Sequence, residues 1–232
     1  METPQPRRPS HLPAHSEICL RALVDRGLAE HISLGGAFGL LHYLDYRATH
    51  DVDAWWTDTA AEPDRRQVLQ VLEGVLGSAG DVKTRAWGDV ASVELVVAGK
   101  TVFSFQIARR SAQLEPSRPA PWIGVPLDSL ADLVASKMVA LIERGAPRDL
   151  RDIHAVCQAG LLTPHDCWQL WRRRQTAAGS PPDVERAKLA IQTHLARITQ
   201  HRRLDRIADP TERQQAEAVR DWYMGAFLDA AG

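Results

Sequence analysis

Asp51 and Asp53 stand one residue apart in "DVDAWW", downstream of the glycine pair Gly35-Gly36. If 51–56 is a strand, its side chains alternate, so both carboxylates project from one face while Val52 packs behind them. Their backbones are then roughly 7 Å apart, close enough for the carboxylates to converge on one or two hard divalent cations. Mg2+ suits such a pair, because it takes one or two carboxylates and completes its shell with water and substrate phosphate oxygens. A two-metal site clamps the attacking and leaving oxygens of a phosphoryl displacement. Taken alone, D-x-D equally describes solvated carboxylates at a strand edge. The glycines add a second feature. A strand entering a Gly-Gly turn that opens a helix offers bare backbone N–H groups to a phosphate and lets the backbone approach it closely. No G-x-G-x-x-G and no Gly-Lys-Ser/Thr follows, so neither a Rossmann nor a P-loop reading fits.

The elements that must position these residues follow from periodicity. "HSEICLRALVDRG" has helical spacing and ends at Gly27, "EHISL" is a short strand running into the glycines, and "AFGLLHYLDYR" reads as a helix reaching Arg47. "PDRRQVLQVLEGVLGSAG" opens with Pro63 and closes with glycines, as a third helix does. From Asp81 to Arg109 the period changes to two, which predicts an antiparallel meander with a tight turn at Ala98-Gly99-Lys100. "PSRPAPWIGVP" is a proline-rich connection with one short extended piece, and everything after Asp128 reads as helix. Asp128, Thr163 and Thr211 occupy N-cap positions, and Gly145 and Gly160 occupy C-cap positions. The expected fold class is α+β, a mixed sheet flanked by helices and followed by an all-helical region. The expected division is a flexible tail over 1–14, an α/β core over 15–126 and a helical C-terminal region over 127–232.

Composition narrows the function. With 232 residues and 44% hydrophobic content the chain can bury a substantial core. A formal net charge of -1 excludes a protein that binds polyanions over its whole surface, so any nucleic-acid contact must be local. "METPQPRRPS" reads as a frayed tail and not as a signal peptide, no window approaches the roughly 18 apolar residues of a membrane span, and the expected compartment is the cytoplasm. Cys19, Cys157 and Cys167 lack C-x-x-C spacing and read as small buried hydrophobes.

The order Gly35-Gly36, a helix, then Arg47-x-Thr49-x-Asp51-x-Asp53 resembles the first motif of the nucleotidyltransferase superfamily, specifically its AbiEii/AbiGii toxin-like branch. "SKMVALIERGAPRDLRDI" looks like that branch's later motif, a lysine-bearing helix followed by an arginine-aspartate pair and another aspartate. The resemblance covers roughly residues 28 to 160. It implies a metal-dependent enzyme that moves a nucleoside monophosphate from an NTP to a macromolecular acceptor, tRNA or protein, as the toxin half of a toxin–antitoxin or phage-defence system. It implies that Asp51 and Asp53 hold Mg2+ or Mn2+ and that Gly35, Gly36, Arg47 and Thr49 belong to the nucleotide site. Lys137 would neutralise phosphate, with Arg148 beside it. Asp152 would complete the polar site as metal partner or base, and a cognate antitoxin would be the protein partner. From spacing alone, Arg148 and Asp152 are four apart and could equally pair as a plain surface salt bridge.

The pattern departs from the family in one place. Where a third carboxylate is expected on a later strand, "FSFQIA" has Gln106, whose amide offers an oxygen but neither charge nor basicity. Glu94 is the nearest substitute. Two further readings therefore remain: a catalytically silent nucleotidyltransferase-like binding module, and a small-molecule, antibiotic-modifying nucleotidyltransferase. "WQLWRRRQ" and "HRRLDR" are a candidate RNA-contact surface, unless Trp168 and Trp171 are buried in the helical region. His50 reads as a neighbour of the site or a surface residue rather than a ligand.

Overall fold

Alternating apolar residues build one sheet. In the computed structural model of the chain, which describes residues 4–232, the strands are β1 (Ile32–Leu34), β2 (Asp51–Trp56), β3 (Asp81–Trp87), β4 (Val90–Val97), β5 (Lys100–Ala108), β6 (Arg118–Pro119) and β7 (Pro126–Leu127). They pair in the order β3-β4-β5-β2-β1-β7-β6. The β3–β4–β5 meander is antiparallel, whereas β2 lies parallel to β5 and β1 parallel to β7. Val97 pairs with Lys100 across a two-residue turn in which Ala98 and Gly99 both have positive φ (50° and 75°), the conformation a tight hairpin requires.

The two faces of the sheet differ in kind. Val52, Ala54 and Trp56 of β2, Ala91, Val93 and Leu95 of β4, and Phe103, Phe105 and Ile107 of β5 share one core with α1 (Ser16–Asp25) and α3 (Glu62–Leu76), through Cys19, Leu20, Leu23, Val68, Leu72 and Leu76. The opposite face is polar. In one row Asp51 of β2 is paired with Ser104 of β5, Glu94 of β4 and Lys83 of β3; in the next, Asp53 is paired with Gln106, Ser92 and Arg85.

The remaining helices are α2 (Gly36–Leu41), α4 (Leu130–Glu143), α5 (Pro147–Gln158), α6 (Pro164–Ala177), α7 (Val184–His201) and α8 (Pro210–Trp222), the last running into a π-helical turn over Tyr223–Phe227. The chain divides into two compact units, residues 1–133 and 134–232, and the division falls within α4. The second unit has its own aromatic core. Trp168 donates from its indole to the Phe227 carbonyl at 2.9 Å, and the Tyr223 hydroxyl donates to the Leu150 carbonyl at 2.9 Å. The fold is α+β, as the sequence predicts. Among the described residues no helix is long and apolar enough to cross a membrane.

Several local expectations need correction. α2 stops at Leu41 and does not reach Arg47. The His42 ring bonds the Phe38 carbonyl at 3.0 Å, taking the acceptor that the next helical N–H would use, and Trp122 holds the ring from its other side at 3.0 Å. Asp128 does not cap α4. Ser129 does, its hydroxyl accepting from Asp132 N at 3.0 Å. At α8 the cap is Asp209 and not Thr211, with Pro210 in the first helical position, while Thr163 caps α6 as expected. The proline-rich connection contains two short strands rather than one extended piece, and β7 extends the sheet beside β1. Cys19, Cys157 and Cys167 are all free, with Cys19 and Cys167 buried. Part of the N-terminal tail, residues 1–3, lies outside the described residues; Arg7 donates its N–H to the His42 carbonyl at 2.8 Å.

Candidate active site

The first motif assembles within the first unit. β2 alternates half-buried and buried residues, so Asp51, Asp53 and Trp55 share the polar face while Val52, Ala54 and Trp56 enter the core. Asp51 Oδ1 accepts a hydrogen bond from the Ser104 hydroxyl at 2.9 Å, which fixes the carboxylate and leaves lone pairs on both oxygens available. Gly35 N–H donates to the Asp53 carbonyl at 2.9 Å, which locks the glycine turn onto the strand.

Both glycines are required by what lies against them. A Cβ on Gly36 would fall 2.5 Å from Asp53 Cβ and 2.6 Å from its Cγ, and Gly36 has a φ of +56° that L side chains rarely adopt. A Cβ on Gly35 would fall 3.0 Å from Trp55 Cδ1. The turn is therefore shaped around the Asp53 and Trp55 side chains, and the Asp53 carboxylate sits directly on the backbone at Gly36. Arg47 and Thr49 lie in the half-buried loop that precedes β2. Arg47 Nη1 donates to the Ala48 carbonyl at 3.2 Å and its guanidinium lies 5.6 Å over the Tyr46 ring. His50 is exposed.

The register locates the missing carboxylate. Gln106 stands directly opposite Asp53 on the adjacent strand, one strand spacing of roughly 5 Å away, and its amide approaches the Ser104 hydroxyl at 3.4 Å. Glu94 does not replace it. It lies two strands from Asp51, roughly 10 Å across, and its carboxylate accepts from Thr101 at 3.5 Å and lies 3.9 Å from Arg85. Among the described residues no group of three or more His, Cys, Asp or Glu is arranged to hold a metal. The donors available in the first unit are therefore two carboxylates, a set that Mg2+ accepts when substrate oxygens complete its shell.

The second motif assembles within the second unit. Lys137 on α4 is buried, its ammonium 2.7 Å from Asp152 Oδ2 and 3.9 Å from Asp149 Oδ1. Asp149 and Asp152 are both fully buried on α5, and Arg144 grips Asp149 with two hydrogen bonds of 2.8 and 3.0 Å. Among the described residues the Arg148–Asp152 pair that helix spacing allows is not formed: Arg148 is exposed, and Asp152 lies against Lys137. Fully buried carboxylates require such partners, because desolvation makes an unpaired charge costly.

Three residues of the polar face carry no sequence signal of their own: Ser104, Trp55 and Arg110. Ser104 is legible only as the residue two before Gln106 on an alternating strand. The tryptophans of "WQLWRRRQ" do not face solvent: Trp168 and Trp171 are 0% and 4% exposed and belong to the core of the second unit.

Among solved structures the chain is similar to an antigenic nucleotidyltransferase-like protein from Paracoccidioides brasiliensis, at 14% identity and a TM-score of 0.40, with 89% of this chain and 91% of that chain covered. No curated protein matches the sequence. A family model described as the nucleotidyl transferase AbiEii toxin of a type IV toxin–antitoxin system matches residues 18–226. That span takes in both motifs, the glycine turn with its aspartates and the Lys137–Asp152 segment, so the chain belongs to the AbiEii family of nucleotidyltransferase toxins.

Proposed function

We propose that this nucleotidyltransferase toxin transfers a nucleoside monophosphate from an NTP to a hydroxyl on a macromolecular acceptor, tRNA or protein, and that the transfer depends on Mg2+ or Mn2+ held by Asp51 and Asp53. The observation that carries the reading is the seat of the Asp53 carboxylate on Gly36. That position is closed to any side chain by geometry and by φ, and it brings bare backbone beside a strand carrying two same-face carboxylates. When bound, the ion supplies charge neutralisation at the phosphates and polarises the reacting oxygens. The protein groups do the rest. Gly35 and Gly36 admit phosphate oxygens to the backbone, Ser104 orients Asp51, and Gln106 offers its amide as a neutral partner beside Asp53.

The acceptor oxygen bonds to the α-phosphorus, the bond from that phosphorus to the bridging oxygen breaks, and pyrophosphate leaves with that oxygen. The acceptor's proton needs a base, and Gln106 has no basicity to provide one. We propose Asp152 for that role or as metal partner, its carboxylate 2.7 Å from the ammonium of Lys137; Lys137 is itself the cation that the second motif is proposed to contribute for phosphate charge. The remaining motif positions, Arg47, Thr49 and Arg148, are proposed nucleotide contacts. A cognate antitoxin is the proposed protein partner, consistent with the family's toxin–antitoxin description.

The test supplies purified protein, Mg2+ and each of the four α-labelled NTPs with total RNA or with total protein. Label is expected in one acceptor class and is expected to be lost with Asp51→Ala. Incorporation that survives Asp51→Ala overturns the site assignment. The absence of incorporation with every NTP and acceptor favours a silent binding module.

A further inference from the structure

The geometry points to Arg110 as a second phosphate-binding cation, one that grips the polyphosphate of the NTP beside the glycine turn. This inference rests on the reading of Asp51 and Asp53 as the nucleotide site. Arg110 follows β5, whose Ala108 is paired with Trp55, and its guanidinium lies 6.0 Å from the centroid of the Trp55 ring. Trp55 is the residue packed against Gly35, two positions beyond Asp53 on the same face of β2. Arg110 is therefore attached to the strand next to Asp53, on the side of the sheet that carries the carboxylates.

Its hydrogen bonding is half complete. The side chain is only 10% exposed, yet Nη1 makes its one hydrogen bond, to Asp128 Oδ1 at 2.9 Å, and Nε and Nη2 have no partner among the described residues. Asp128 is 1% exposed and also takes the Ser33 hydroxyl at 2.6 Å on the same oxygen; its Oδ2 is buried without a hydrogen bond. The carboxylate thus anchors the guanidinium by one nitrogen. The Nε–Nη2 edge that it leaves open is the fork that binds two oxygens of one phosphate in parallel. Unlike Asp128 Oδ2, neither nitrogen of that edge is a buried atom lacking a partner, so the edge keeps contact with water and can exchange it for phosphate oxygens. A phosphate chain extending from the glycine turn along Trp55 would satisfy it.

The experiment is calorimetric titration of the full chain in Mg2+ buffer with inorganic triphosphate and with a non-hydrolysable NTP analogue. Wild type is compared with Arg110→Lys, which keeps the ion pair to Asp128 but loses the fork, and with the charge-neutral double variant Arg110→Gln/Asp128→Asn, which avoids leaving Asp128 unpaired. Arg109→Gln, at an exposed neighbouring cation, is the control. Loss of a charge-assisted, two-oxygen contact should weaken both ligands about 10- to 100-fold in the double variant and less in Arg110→Lys, with Arg109→Gln unchanged. Equal affinity in wild type and both Arg110 variants, with folded far-UV spectra, overturns the inference and leaves Arg110 as the counter-ion of Asp128 alone. If the wild type binds neither triphosphate nor analogue, the nucleotidyl-transfer reading itself fails, an outcome distinct from the first.

Discussion

Gly36→Ala isolates what the glycine turn does. The new Cβ would fall 2.5 Å from Asp53 Cβ and 2.6 Å from Cγ, where ordinary contact begins at 3.4 Å, so the Asp53 side chain must withdraw by most of an ångström. The left-handed φ of +56° adds a strain of roughly 1–2 kcal/mol for any L residue. Strain alone lowers stability; displacement of a metal-binding carboxylate lowers activity far more, by about 100-fold for a shift near 1 Å. Gly124→Ala separates the two effects, because Gly124 has a φ of +77° and nothing within 4 Å of its notional Cβ. Both variants should lose stability in urea titrations, Gly36→Ala the more because of its added contact, and only Gly36→Ala should lose nucleotide incorporation by about two orders of magnitude. Equal activity in the two variants would refute the claim that the turn exists to seat Asp53.

Further outcomes follow from the same geometry. Gln106→Glu places a carboxylate in register with Asp53 and should tighten the Mg2+ dependence of activity several-fold; a weaker dependence would show that the amide has its own role. Lys137→Met removes the ammonium that lies 2.7 Å from buried Asp152 and 3.9 Å from buried Asp149 and should cost about 3–5 kcal/mol in chemical unfolding, whereas an unchanged midpoint would mean the buried ion pair does not stabilise the fold. His42 should make the fold acid-sensitive. Burial pushes its pKa down, and Trp122 donates to Nε2, so only the ring carrying its proton on Nδ1 satisfies both partners. A lowered pKa means the unfolded chain binds the proton first. The stabilisation is therefore complete above the unfolded value of 6.5 and falls as pH drops below it, and His42→Gln should flatten that slope in urea midpoints taken between pH 5 and 8. Finally, the Cys19 thiol is pushed up to about 12 by burial, and Cys167 is raised well above the ordinary range by its hydrogen bond with Cys157 and by burial. Thiol titration at pH 8 should find at most one fast-reacting cysteine in the native protein and three after unfolding.

Residues whose roles follow from local alternation were legible in the sequence. The period-two pattern of 51–56 and 100–108 places Asp51, Asp53 and Gln106 on one face without any knowledge of strand order, and Gly35-Gly36 needs only adjacency to the strand it enters. What sequence could not supply was pairing. That Asp53 stands against Gln106, and that Glu94 is two strands away from Asp51, depend on β2 lying parallel to β5, a contact between residues about fifty positions apart. The same limit hid Arg110 and Asp128, because an ion pair joining the end of β5 to the start of α4 has no periodic signature. Helix spacing alone could not decide the partner of Asp152, because its i,i+4 neighbour Arg148 faces solvent while a buried lysine on the preceding helix lies against it. α2 ended early because a tertiary bond from Trp122 to His42 outweighed continued helical propensity through Arg47.

The central claim is that two carboxylates, with glutamine in place of a third, support metal-dependent nucleotidyl transfer. Its most direct measurement is pyrophosphate release from NTPs in the presence of acceptor RNA or protein, with Mg2+ and with EDTA, for wild type, Asp51→Ala and Asp53→Asn. Release that requires Mg2+ and disappears in both variants is the predicted result. Release that persists in EDTA, or in either aspartate variant, would contradict it.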